Sequence, residues 1–180
     1  MPSAFSHAFV GAALGTLFRR PAPPARFWLA GAVCAAIPDV DVVGPLWLGV
    51  PWGSMLGHRG ITHSLSFAVV LGGVVTALLF RGTKWRGRRW LVWLYLTVAT
   101  ASHGGLDAMT NSMTGVAFFA PFDATRYFLP WRPIPVSPLA FRFFSARGWA
   151  VFQAELRMIW LPVAIIAALA WIFRARQRAT

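Results

Sequence analysis

Residues 57–80 read GHRGITHSLSFAVVLGGVVTALLF. From Leu65 to Phe80 nothing charged interrupts the run, and the apolar stretch 61–80 approaches the roughly 20 residues that cross a hydrocarbon core as helix. Backbone polar groups cannot stay unpaired in lipid, so such a stretch forms a helix and not a lone strand. At its head stand two imidazoles and a guanidinium: His58, Arg59 and His63. Ionisable groups at the edge of a membrane segment are expensive to place, and their default reading is a functional site.

Outward from this stretch the pattern repeats. Further apolar runs lie at about 4–18, 27–38, 90–109 and 156–173, in a chain that is 57% hydrophobic and only 12% charged. That balance exceeds what a soluble domain of this length can bury. The expected fold is all-α, a polytopic transmembrane bundle of about five helices. The first two runs are short and joined by RRPAPPAR, whose prolines break helix, so they are expected to form a short hairpin. One membrane-embedded domain spans 1–180. Its core motifs lie within 1–109, an aromatic, Arg-rich interfacial segment occupies 110–155, and a terminal membrane helix covers 156–173. The single cysteine, Cys34, rules out an internal disulfide and a Cys-rich metal site. No basic region precedes the first apolar run, which argues for a retained first helix with its N-terminus outside.

A net charge of +12 raises the question of nucleic acid. The basic residues, however, flank the apolar runs, which is the membrane pattern, so membrane lipid is the expected partner and nucleic acid is not. Arg19, Arg20 and Arg26, then Arg81, Lys84, Arg86, Arg88 and Arg89, then Arg174, Arg176 and Arg178, fall on one side of a chain that crosses five times. The positive-inside rule makes that side cytoplasmic. All four histidines and three of the five acidic residues then meet near the opposite face.

They do so in four motifs: His7 in SHAFVG, Asp39 and Asp41 in IPDVD, His58 and His63 in GHRGITHS, His103 and Asp107 in SHGGLD. His103 and Asp107 are one helical turn apart, a spacing that suits one ion or two neighbouring ions, or a simple His–Asp hydrogen bond. Pro38 is expected to end the second helix, leaving Asp39 and Asp41 in an irregular turn, as paired cation ligands or as ordinary turn residues. Gly57 and Gly60 allow tight backbone around His58, and Thr62 or Ser64 is the expected cap of the next helix, with His63 in its first turn. Arg59 matches phosphate oxygens bidentately, or else balances an aspartate. In 110–155, Asp123, Arg126, Tyr127, Arg132 and Arg142 are candidate substrate contacts. Glu155 reads as a helix N-terminal charge.

The ordered set SHAFVG, PDVD, GHRGITHS and SHGGLD, followed by TNSMTGVAFFAPFDATRY, resembles the LexA-regulated, membrane-bound predicted metal-dependent hydrolases, from about residue 3 to 135. That resemblance implies a bacterial cytoplasmic (inner) membrane protein of several passes. It also implies a metal-ligand set of His7, Asp39, Asp41, His58, His63, His103 and Asp107, with a distant likeness to the zinc-dependent phospholipases C. The expected function is a metal-dependent hydrolase, of the phosphoester class, acting on a lipid or lipid-linked phosphate at the extracytoplasmic membrane boundary. The cofactor is one or two divalent ions, Zn²⁺ favoured by imidazole and Mn²⁺ or Mg²⁺ left open by the carboxylates. Arg59 holds the anionic group, with Arg126 and Tyr127 assisting, and Asp39 or Asp41 acts as base. The rival readings are a metal transporter, which needs ligands at several depths, and a noncatalytic scaffold with a structural metal site.

Overall fold

Three serines start three of the helices. Ser3, Ser64 and Ser145 each stand in extended backbone and accept a hydrogen bond from the amide three residues on: Ser6, Phe67 and Gly148. A serine oxygen there satisfies a donor that the first helical turn leaves unpaired. The computed structural model describes residues 1–18 and 23–176; Arg19, Arg20 and Pro21 of the first loop and Arg178 of the tail lie outside them. Among the described residues the regular elements are helical, with no strand beyond two isolated bridges.

The helices are α1 (Ala4–Leu14), α2 (Ala25–Ala36), α3 (Val43–Trp47), α4 (Leu65–Leu79), α5 (Arg89–Ala108), α6 (Ala146–Glu155) and α7 (Leu161–Arg176). They form five rods, because two pairs are fused. A 3-10 turn, Ile37–Val42, carries α2 into α3, and a π-turn, Leu156–Trp160, carries α6 into α7. The α-helix thus stops at Ala36, as expected ahead of Pro38, but Pro38 does not break the rod. It sits in the first turn of the 3-10 segment, where its missing N–H leaves no bond unmade.

Two rods, Ala25–Trp47 and Ala146–Phe173, are long and apolar enough to cross a membrane; Ala4–Leu17 and Leu65–Leu79 are shorter apolar helices. The expected short hairpin is thus corrected: its second arm is one of the two longest apolar rods, while the run from 61 yields a helix of only 15 residues. The difference lies at the rod ends. The 3-10 turn adds length after Ala36, whereas residues 61–63 form a separate 3-10 turn ahead of the Ser64 cap.

The rods α1, α2, α4 and α5 pack side by side. Where α1 crosses α2, a Cβ on Gly11 would lie 2.4 Å from Gly31 O, and one on Gly31 would lie 1.7 Å from the Tyr95 hydroxyl. Only glycine permits this approach, as is common for helices packed in lipid. Tyr95 uses it to donate to Gly11 O at 2.9 Å. Around it Phe27, Cys34, Phe80, Trp85, Val92 and Leu96 form the buried apolar core. That core fills the half of the bundle holding the α2 and α5 N-termini and the end of α4. The other half is left for polar residues.

Candidate metal centre

The four motifs enter that second half from four elements. His7 comes from the first turns of α1, Asp39 and Asp41 from the 3-10 turn after α2, His58 and His63 from the chain before α4, and His103 and Asp107 from the last turns of α5. Antiparallel packing of the rods brings these ends together. Two groups of metal-ligand atoms result: Asp39, His58, His63 and Asp107 form one, His7, His103 and Asp107 the other, all within 4.8 Å inside a group. Asp107 belongs to both.

Asp41 stands behind the ligands, outside both groups. Its Oδ1 meets His58 Nδ1 at 2.8 Å, and its Oδ2 meets His63 Nδ1 at 3.1 Å. The Thr62 hydroxyl donates to Oδ2 at 2.5 Å and the Arg59 amide at 3.3 Å, so the carboxylate is fixed. His103 Nδ1 lies 2.7 Å from Ala35 O. Each ring thus donates from Nδ1, and those of His63 and His103 turn Nε2 inward, the arrangement by which outer partners orient metal-binding imidazoles. His7 stacks on His103, ring centres 3.6 Å apart.

Whether these residues suit a divalent ion can be read from what they lack. His7 Nδ1 and Nε2, both oxygens of Asp39 and Asp107 Oδ1 are buried with no hydrogen bond, while Asp107 Oδ2 is met by the Arg59 ion pair. Each such orphan costs about 1–3 kcal/mol if nothing compensates it. The inward atoms are spaced as ligands of a common ion would be. His103 Nε2 lies 3.0 Å from His63 Nε2 and 3.3 Å from Asp39 Oδ1, and His63 Nε2 lies 3.5 Å from Asp107 Oδ2 and 3.8 Å from Asp39 Oδ1. Two atoms each about 2.0–2.1 Å from a tetrahedral ion are about 3.3 Å apart. Two imidazole lone pairs facing at 3.0 Å need a cation or a proton between them. The donor set therefore fits a divalent metal.

Charge agrees. Asp39, Asp41 and Asp107 carry three negative charges, of which Arg59 pairs directly with the one on Asp107, while the Met1 amino group and Arg126 act on the cluster from further out. His63 stands outside the helices. Burial opposes its charged form, but the hydrogen bonds its ring donates to Asp107 and Asp41, with their negative charge, outweigh burial and raise it to about 9. Without metal, a proton on His63 takes up part of the excess charge.

Arg59 is placed by strain. It is a non-glycine residue in the left-handed region (φ 64°) and is 1% exposed. Such backbone persists only where its surroundings over-determine it. Its Nε lies 2.9 Å from Asp107 Oδ2, Nη1 donates to Thr114 O at 2.6 Å and Nη2 to Thr110 Oγ1 at 2.9 Å. Of the two roles expected for Arg59, the structure displays the pairing with an aspartate. Arg126 is likewise engaged: it donates to the carbonyls of Ser54, His58, Arg59 and Gly115 at 2.9–3.3 Å, pinning the 110–135 segment to the loop that carries two ligands. Tyr127 donates to Asp123 Oδ2 at 3.1 Å, Arg132 lies over Phe128 at 4.7 Å, and Arg142 is exposed. The only ligand side chains reached by solvent are His58, 12% exposed, and Asp39, 10%.

Sequence reasoning missed several partners. Thr110, the Thr114 carbonyl and the Ala35 carbonyl carry no sequence signal for their roles. Thr62 was expected only as a possible cap, and Ser64 takes that place. His63 belongs to the 3-10 turn and not to the first turn of α4. Glu155 is no helix N-terminal charge: it lies mid-rod at 0% exposure and accepts from Ser3 N, Ser3 Oγ and Ser6 Oγ at 2.5–2.7 Å. A lone acid between apolar runs was the available signal.

An all-helical membrane protein with a buried His–Asp cluster at one end of its bundle is the class these features define. The chain belongs to the YdjM inner membrane protein family, whose family model matches residues 1–179. It is similar to "Inner membrane protein YbcI" of Escherichia coli (strain K12), 37% identical over 173 residues that cover 95% of this chain and 98% of that one. No solved structure matches it. It is accordingly a bacterial inner-membrane protein.

Proposed function

We propose that this chain is a multi-pass, metal-dependent hydrolase of phosphoesters, acting on lipid or lipid-linked substrates at the extracytoplasmic boundary of the membrane. The observation that carries the reading is the buried imidazole and carboxylate atoms of His7, Asp39 and Asp107 that lack hydrogen bonds, set among two ligand groups that share Asp107. Divalent metal held there, Zn²⁺ by preference and Mn²⁺ or Mg²⁺ otherwise, supplies Lewis acidity and charge stabilisation for in-line displacement at phosphorus.

The chain's own residues have distinct tasks in this scheme. Asp39, His58 and His63 with Asp107, and His7 and His103 with Asp107, hold the metal. Asp41 fixes the rings of His58 and His63, which leaves Asp39, at the solvent-reached edge, as the carboxylate that accepts a proton from attacking water. Arg59, enclosed against Asp107, sets that carboxylate's position and balances charge. Substrate enters on the side of His58, past Trp52, whose ring stands edge-on to the imidazole at 6.0 Å. Basic loops at the opposite ends of the rods support the outward-facing orientation.

A closed structural metal site is the second reading, favoured by the complete burial of His7, His63, His103 and Asp107. Structural sites are saturated, whereas catalytic ones keep an exchangeable position. Elemental analysis of detergent-purified protein, beside a His58→Ala, His63→Ala double variant, tests the centre. One or two equivalents lost in the variant are expected, together with turnover of a lipid phosphoester by the wild type. Metal without turnover supports the structural reading, and no metal after reconstitution removes both.

A further inference from the structure

The seam between α1 and the rod Ala146–Phe173 has a feature that the metal centre does not use. Phe5, Phe143, Phe144, Trp149, Phe152 and Trp160 enclose a groove of about 520 Å³, almost wholly apolar. A second groove of about 590 Å³ continues along the same rod past Trp160, between Phe9 and Leu161, with Gln153 and Arg157 on its rim beside Leu156 and Ala164. Trp160 divides them and is held in place: its ring stacks on Phe9 at 4.2 Å and its Nε1 donates to Ser6 Oγ at 2.8 Å. From Gly148 to Leu161 the seam runs about 20 Å at about 1.5 Å per residue, the reach of an extended long acyl chain.

Two observations say what covers it. Of the two rods long enough to cross a membrane this one has the more apolar stretch, and almost none of that stretch is buried in the protein, so the grooves adjoin a surface that faces lipid. Beside the first groove, Arg142 and Arg147 are exposed and form no ion pair among the described residues. Unpaired cations at the membrane interface attract anionic headgroups. We infer that this seam binds one phospholipid of anionic headgroup, its acyl chain lying along the grooves and its phosphate on Arg142 and Arg147. The site is independent of the metal centre.

The test uses the full chain in nanodiscs with phosphatidylglycerol or phosphatidylcholine carrying a photoreactive group on one acyl chain, the labelled residues being mapped by peptide mass spectrometry. With phosphatidylglycerol, residues 141–160 are expected to label several-fold above the open face of 161–173. Each arginine contributes about fivefold to that headgroup preference, so the Arg142→Ala, Arg147→Ala variant labels equally with both lipids. Phe144→Gln with Trp149→Gln, two exposed walls whose change spares the core, lowers seam labelling to the level of 161–173. Seam labelling no higher than 161–173 in the wild type, or unaffected by Phe144→Gln with Trp149→Gln, overturns the site. Equal labelling by both lipids in the wild type overturns the arginine role.

Discussion

Removing Asp41 is expected to weaken metal binding without removing a metal site. The carboxylate touches two ligand rings, at 2.8 Å and 3.1 Å, and is itself held by Thr62 and the Arg59 amide. Loss of one outer partner of a metal-binding histidine typically lowers affinity about 10–100-fold. Because Asp41 serves two rings, Asp41→Ala should lower it by the product, about 100–10,000-fold, or about 3–5.5 kcal/mol. Asp41→Asn keeps one acceptor oxygen and should lose about 10–100-fold. Competition against a chromophoric chelator gives the affinities, and elemental analysis at saturating metal gives the stoichiometry. The expected result is unchanged stoichiometry with graded affinity, wild type above Asn above Ala. A fall of one equivalent, with wild-type affinity for whatever remains, would show that Asp41 is a ligand and refute its placement behind the histidines.

Four further outcomes follow from other contacts. Metal must displace the proton that His63 holds below about pH 9, so affinity should fall by up to tenfold per unit as pH drops below 9 and level off above it; a flat profile between pH 7 and 9 would be inconsistent. The metal-free protein should show the opposite trend. A raised folded value gives stability that is full below about 6.5 and lost as pH rises through about 9, read by thermal unfolding in detergent with chelator. Glu155→Leu leaves three buried serine donors without their acceptor and should lower stability by about 3 kcal/mol, against a near-neutral effect for the exposed Gln153→Leu. Gly31→Ala pushes a methyl into the Tyr95 hydroxyl and should destabilise the α1–α2 crossing, a loss that Tyr95→Phe partly relieves.

What was legible in the sequence was whatever composition or spacing records. Apolar runs marked the five rods to within a few residues except at two joints, because Asp39 and Asp41 in the 3-10 turn after Ala36, and Glu155 and Arg157 at the π-turn, break the apolar pattern while the backbone stays helical. The earlier start of the last rod, at Ala146, was hidden by Arg147, Gln153 and Glu155, whose polarity resembles a loop. The convergence of His7, His58, His63, His103, Asp39 and Asp107 was legible because antiparallel rods bring alternate ends together. Which aspartate binds and which orients was not. Asp39 and Asp41 lie two residues apart on a turn whose path is set by tertiary packing, and their sequence surroundings are nearly the same. The fate of Arg59 was illegible for a similar reason: Thr110 and Thr114, which fix it, lie about fifty residues downstream.

The Glu155 clip joins the first helix to the last rod, and this bears on when the protein matures during synthesis. Every metal-holding residue has left the ribosome once Asp107 emerges. Helix α1, which brings His7, is held at its middle by α2 and Tyr95, but its N-terminal turn is clipped only when Ser3 and Ser6 meet Glu155 and Trp160, some fifty residues later. In a nascent chain the turn of α1 that carries His7 therefore lacks its N-terminal clip until the last rod enters the bilayer.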